Sequence, residues 1–166
     1  MKRKTFSGSP CQIARSLDVL GDWWNPLILR ECIYGVHRFD GFQQWLGIGR
    51  NILTRRLAQL IDEGLLEKRA YQSAPTRYEY HLTEKGYDAT KVLLAMMEFG
   101  EKWQFKKGKE PIRLFDADSG KRLHPIIVDA KTKEPIDPRN VTAGPGPGFP
   151  KSQSIRRQRF GDDYIE

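Results

Sequence analysis

Cysteine is scarce in this chain. Two thiols in 166 residues, Cys11 and Cys32, are too few and too far apart for a disulfide-rich secreted scaffold or a Cys-only zinc site. No apolar run is long enough to span a membrane. The charged N-terminus is not followed by the apolar segment of an export signal. A cytoplasmic protein without a membrane segment is therefore expected. Enzyme signatures are also missing: there is no Walker loop, dinucleotide fingerprint, nucleophile elbow or HExxH. The three histidines, His37, His81 and His124, are scattered, and His37 and His81 read as surface or backbone-contacting residues. No enzyme, no cofactor and no metal is expected. The chain has no internal repeats. Acidic residues are outnumbered, 21 against 28 Lys+Arg, which leaves a formal charge of +7. Residues 1–109 hold 18 Lys+Arg against 12 Asp+Glu, and residues 110–166 hold 10 against 9. The excess lies in the first segment and suits a polyanionic partner.

What is present is concentrated in residues 45–86. A short apolar segment turns at Gly47-Ile48-Gly49 into a helix expected over 50–63. Leu53, Leu57 and Leu60 fall at i, i+4 and i+7 and form its buried face. Arg50, Asn51, Thr54, Arg55 and Ala58 form the opposite face, with no large apolar group to clash with a groove floor. Arginine can bond guanine bidentately, and asparagine can do the same with adenine. Asp62 and Glu63 lie at the far end, and Gly64 stops the helix. Strand-like segments at 65–72 and 77–82 follow, joined by a tip at 73–76 that contains Pro75. A helix with a basic front followed by a basic two-stranded ribbon fits a duplex, helix in the major groove and ribbon on the flanking backbone. The expected DNA-contacting residues are Arg50, Asn51, Thr54, Arg55, Arg56, Lys68, Arg69 and Arg77.

The rest of the chain arranges itself around this unit. Residues 1–10 read as a flexible basic arm. A first helix is expected over 11–20, with Ile13, Leu17 and Leu20 on one face. Asn25 reads as the N-cap of a second helix over 26–34, with Pro26 at its first position. Cys32 lies inside it as a small core residue. Trp23 and Trp24 read as core and interface anchors. Asp40 and Gln43 have capping-box spacing at the start of a third helix, whose buried side is Phe42, Trp45 and Leu46. Thr83 caps a last helix over 84–104. Its apolar surface, from Tyr87 to Trp103, is wider than one core stripe requires and argues for burial against a second copy. A small β-rich extension is expected at 106–140, with turn signals at Ser119-Gly120 and Lys133-Glu134-Pro135. Residues 141–166 read as a disordered Gly/Pro-rich and basic tail, in which Arg156, Arg157 and Arg159 add nonspecific phosphate attraction. The fold class is mainly α with a small β-wing: a winged helix-turn-helix over 11–105, plus the hairpin module and tail.

The ordered run from Leu17-Asp18-Val19-Leu20-Gly21-Asp22 and Trp24 through Leu27-Ile28-Leu29-Arg30-Glu31, Arg38-Phe39, Gly47-Ile48, Arg56-Leu57, Gly64-Leu65, Tyr71, Pro75 and Tyr78-Glu79-Tyr80 to Leu82-Thr83-Glu84-Lys85-Gly86 resembles HxlR-type winged helix-turn-helix transcriptional regulators over about residues 9–104. The resemblance implies a homodimer built from the first and last helices, one recognition helix and one wing per half-site, and a pseudo-palindromic double-stranded operator. It also implies response to a small molecule or electrophile, in some members through the cysteine matching Cys11. Longer members carry a C-terminal module with paired cysteines resembling a zinc ribbon. Here the matching positions are Ser119, Asp129 and Thr132, none of them a thiolate, and His124 alone cannot replace the set. A metal-free hairpin remnant is expected. The alternatives are a thiol-based redox, aldehyde or quinone sensor acting through Cys11, and a winged-helix module that binds only protein.

Overall fold

The computed structural model of the chain describes residues 5–144 and 146–148. The basic residues Lys2, Arg3 and Lys4 and the tail arginines Arg156, Arg157 and Arg159 lie outside the described residues. The order of elements is α1 (Gln12–Leu20), α2 (Trp24–Ile33), α3 (Phe39–Leu46), α4 (Arg50–Asp62), β1 (Leu66–Ser73), β2 (Thr76–Leu82) and α5 (Glu84–Trp103), followed by a 3-10 turn at Pro138–Asn140. This is a winged helix-turn-helix: four helices, a two-stranded antiparallel ribbon and a long closing helix. The chain divides into two compact units, Leu17–Pro125 and a smaller one made of the N-terminal residues to Ser16 and the C-terminal residues from Ile126.

In the larger unit the core is built from one row of side chains per element. Ile28 and Leu29 of α2, Phe42 of α3 and Leu53 and Leu60 of α4 are fully buried. Ile48 plugs the turn between α3 and α4 and is 2% exposed. Gly47 makes that turn possible, because it ends α3 in the left-handed region at φ 62°, where a side chain would be strained. The stop at Gly64 is a Schellman motif: the amide of Leu65 donates to Leu60 O and that of Gly64 to Ile61 O, and Leu60 and Leu65 are both buried. On α5, Gly86, Thr90 and Leu93 face inward at i, i+4 and i+7. Thr83 caps this helix, accepting from Gly86 N at 3.1 Å and donating to Gly64 O at 2.6 Å.

Three local expectations are corrected. Asn25 is not the cap of α2; the helix begins at Trp24, and Asp22 Oδ1 accepts from its amide at 3.1 Å. Asn25 is buried instead and donates from Nδ2 to Val19 O at 2.6 Å. The capping box at Asp40 and Gln43 does not form, because α3 already begins at Phe39 after an extended Arg38 with no side-chain cap bond. Trp45 does not face the core: it is 67% exposed, and Phe42 fills the place next to Tyr80. Of the tryptophan pair, Trp24 packs on the core while Trp23 is 77% exposed.

The extension contains two tight turns rather than continuous strands. In the larger unit, Asp116 Oδ1 accepts from Ser119 N at 2.8 Å and Ser119 Oγ at 2.6 Å, beneath a Phe115–Arg122 bridge. Arg122 pairs with Glu101 of α5 at 3.0 Å. In the smaller unit, Asp129 Oδ1 accepts from the amides of Lys131 and Thr132, both at 2.8 Å, beneath a Val128–Pro135 bridge. The residues at the cysteine-matching positions thus spend their oxygens and amides on closing turns. Among the described residues no group of three His, Cys, Asp or Glu is placed to hold a metal ion.

Candidate nucleic-acid interface

The interface is set by the way α4 is seated. Its leucine row, Leu53, Leu57 and Leu60, is at most 2% exposed and locks the rotation of the helix. The side chains about half a turn away must then face solvent. Arg50, Asn51, Thr54, Arg55 and Ala58 are all exposed, as their spacing from the leucines demands. Thr54 Oγ1 donates to Arg50 O at 2.9 Å, which fixes its rotamer and leaves its lone pairs outward. Arg50 lies over the Phe39 ring at 5.3 Å, so the first residue of α4 is braced by the first residue of α3. Ile52, 37% exposed at the flank of this face, is an apolar group that the leucine periodicity did not bring out. Such a group can meet a thymine methyl in a major groove.

Arg56 does not join this face, and its expected role as a DNA contact is corrected. It lies three residues after Leu53, on the side of α4 that packs on the start of α2. Its guanidinium pairs with Asp22 Oδ2, with side-chain exposures of 14% and 17%, and also donates to Gln59 Oε1 at 2.9 Å. Asp22 therefore does two jobs with its two oxygens, capping α2 and pinning α4. That pairing explains why an aspartate before α2 and an arginine in mid-α4 belong together.

The ribbon follows α4 through Gly64. Its register pairs Leu66 with Leu82, Lys68 with Tyr80 and Arg69 with Glu79. Strand residues alternate faces, so Lys68 shares a face with Leu66 and Leu82, whereas Arg69 and Arg77 share the other. Lys68 Nζ sits 3.7 Å from the Tyr78 ring centre, Arg69 pairs with Glu67, and Arg77 stands exposed at the tip. The register shifts between Ala70 and Gln72, which leaves Tyr71 as a bulge. A bulge re-aims its side chain, and the Tyr71 ring lies under Arg38 at 4.2 Å.

Arg38 belongs to a connection that the sequence did not reveal. The segment before α3 runs beside β2: Tyr80 N donates to His37 O at 2.8 Å, and Arg38 bridges Glu79. Arg38 Nε also donates to Glu79 Oε1 at 2.9 Å. His37 and His81 stack at 4.3 Å, and His81 Nε2 lies 3.3 Å from Glu79 Oε2. The Arg38 hydrogen bond, with help from His81, holds the Glu79 carboxyl below the usual carboxylate range. An isolated bridge gives no periodicity to read. Its effect is to tie the wing to the helix-turn-helix.

The remaining expected site residue, Cys11, is exposed just before α1, with its amide donating to Ser9 Oγ at 3.2 Å. Cys32 is buried, and desolvation with the nearby Glu31 charge pushes its thiol up to about 12.

Comparison with known proteins agrees with this geometry. The family model described as HxlR-like helix-turn-helix matches residues 19–108. The chain is 38% identical over 137 residues to Rv3095 of Mycobacterium tuberculosis, an uncharacterised HTH-type transcriptional regulator, covering 82% of this chain and 87% of that protein. The crystal structure of PA1607, a candidate transcription factor, superposes with a TM-score of 0.74 at 31% identity, over 84% of this chain and 97% of that one. The redox regulator HypR in its oxidised form gives a TM-score of 0.52 at 32% identity, over 55% of this chain and 96% of that one. The relatives are transcriptional regulators rather than enzymes. With the helix, turn, helix and wing in place and the family model covering more than half of its length, the chain belongs to the HxlR-like helix-turn-helix family of transcriptional regulators.

Proposed function

We propose that the protein regulates transcription as a homodimer on a pseudo-palindromic duplex, each protomer placing α4 in one major groove. The observation that carries this reading is the exposed row Arg50, Asn51, Thr54 and Arg55 on a helix whose rotation is locked by fully packed leucines. Lys68, Arg69 and Arg77 supply the flanking backbone contacts. Dimerisation is supported by an unburied stripe on α5. Val92, Met96, Phe99 and Trp103 recur at i, i+4, i+7 and i+11 and are 48–66% exposed, on a different face from the inward Gly86-Thr90-Leu93 row. Ile13 and Leu17 of α1 are exposed as well, at 73% and 46%. No helix among the described residues is long and apolar enough to cross a membrane, and we place the protein with its DNA in the cytoplasm. The test is a gel shift over a salt series, with the duplex upstream of the protein's own coding region against a random duplex of equal length. Specific retention with a steep salt slope supports the reading. Equal, salt-insensitive retention of both, or none, contradicts it and favours a module that binds protein.

A second reading concerns signalling. Cys11 is exposed, and the similar protein HypR is a redox regulator. Under this reading an electrophile or oxidant modifies Cys11 and alters dimer geometry, hence the spacing of the two recognition helices. Diamide should then weaken operator binding of the native chain and leave Cys11→Ser unaffected. Equal responses of the two proteins would assign Cys11 to packing.

A further inference from the structure

A half-open groove of about 190 Å³ lies between α2 and α5 in the larger unit, with Leu114 also in its lining. Its walls are carbon and thioether: Leu27 and Ile33 from α2, Leu94, Met96 and Met97 from α5. Two polar side chains line it, Arg30 and Tyr34. Arg30 pairs with the buried Glu31 and lies over the Tyr34 ring at 5.8 Å, so its charge is already answered. The Tyr34 hydroxyl, by contrast, is poorly used. Its acceptor is Met97 Sδ at 3.7 Å, a weak one.

The size and chemistry narrow the occupant. An apolar cavity of about 150 Å³ takes up benzene, so this groove holds one ring with a small substituent. Thioethers favour aromatic edges over aliphatic chains. An anion gains no free cation here, because Glu31 neutralises Arg30, whereas a neutral oxygen acceptor replaces sulfur as the partner of Tyr34.

We propose that this groove is the effector site of the regulator and takes a one-ring aromatic molecule with a single neutral carbonyl oxygen, its ring between Leu94, Met96 and Met97 and its oxygen on the Tyr34 hydroxyl. This deepens the regulatory reading above and rests on it for the effect on DNA. One wall is α2, whose start is pinned to α4 by Asp22 and Arg56. The other is α5, which carries the stripe assigned to the second protomer. A molecule wedged between these walls changes the angle between dimer contact and recognition helix, and so the fit to two half-sites.

The experiment uses the full chain, without DNA, labelled with ¹³C at the methionine methyls. There are three methionines, of which Met96 and Met97 line the groove. Acetophenone should shift the Met96 and Met97 signals. Tyr34→Phe should weaken acetophenone about tenfold, the value of one hydrogen bond, and leave ethylbenzene unchanged. Leu94→Trp, which fills the groove, should abolish both shifts, while the helical circular dichroism and the unfolding midpoint show that the fold is kept. Absence of shifts at saturating acetophenone overturns the proposal. Met96 also belongs to the stripe assigned to the second copy, so dilution is read at Met97: a Met97 shift on diluting the protein alone overturns the proposal and assigns the groove to the second copy. Equal response of both ligands to Tyr34→Phe overturns the carbonyl assignment. Binding that leaves operator affinity unchanged overturns the effector role. A native chain that binds acetophenone but no operator would overturn the DNA reading and leave the groove standing.

Discussion

At the scale of single residues, the interface separates cations that are free from cations already engaged. Arg55 and Arg77 make no hydrogen bond or ion pair among the described residues, and Arg50 only rests on an aromatic ring. Arg56 is held by Asp22 and Gln59. Replacing Arg50 or Arg55 with alanine should therefore cost roughly 1–3 kcal/mol on the specific operator and much less on random DNA, read by titration of both duplexes. Arg69→Ala and Arg77→Ala should lower affinity for every sequence and reduce the salt slope by about one unit each. Asp22→Ala should act on stability instead. It strands a guanidinium that is only 14% exposed and uncaps α2, for a loss of about 3 kcal/mol in denaturant unfolding. The paired variant Asp22→Ala with Arg56→Met should recover part of that loss, since no charge is left unpaired. A thiol reagent at neutral pH should label Cys11 quickly and Cys32 only after unfolding, because the Cys32 thiol lies at about 12.

At the scale of elements, the joints carry more information than the helices they connect. A Cβ on Gly86 would lie 2.2 Å from Leu65 O, so the start of α5 packs directly on the backbone entering β1. Gly86→Ala should destabilise by about 3 kcal/mol, the upper end of overpacking costs. Gly100→Ala on the same helix meets nothing within 4 Å and should stabilise by about 0.5–1 kcal/mol. Equal midpoints for the two variants would refute the close approach. The wing joint has its own signature. A carboxyl held below its ordinary value contributes stability above that value and loses it as pH falls through the lowered one. Native chain and Glu79→Gln should thus differ in stability at neutral pH, and the difference should shrink as pH falls below the ordinary glutamate value towards the lowered one. A difference that stays constant through that acid range would mean that the Arg38–Glu79 bond does not anchor the wing.

The contrast between what was legible and what was not follows the same division. Leucines at i, i+4 and i+7 with glycines at each end placed α4 and its exposed face, because burial and helix rotation are locked together. Thr83 placed the start of α5, where its hydroxyl accepts from Gly86 N. Trp45, Asn25 and Arg56 were misjudged because residue type is a weaker guide than position. An indole can stay in solvent when Phe42 already fills the core, an asparagine can hold a loop carbonyl rather than cap a helix, and an arginine can face inward once an aspartate 34 positions earlier awaits it. The bridge from Arg38 to Glu79 is isolated and non-local, and nothing in a linear pattern announces it.

At the scale of the whole molecule, the proposed reading gives one recognition helix and one wing per chain to half of a site. On that reading a second copy supplies the other half, and the unburied α5 stripe is the surface proposed for it. The central claim is that two α4 helices read two half-sites together, with centres about 34 Å apart or a multiple of that. Hydroxyl-radical footprinting on the duplex upstream of the protein's own coding region tests it most directly. The account predicts two protected windows on one face of the DNA, separated by whole helical turns, that vanish together in Arg55→Ala and in a dimer-breaking Phe99→Glu variant. A single protected window, unchanged in Phe99→Glu, would contradict it.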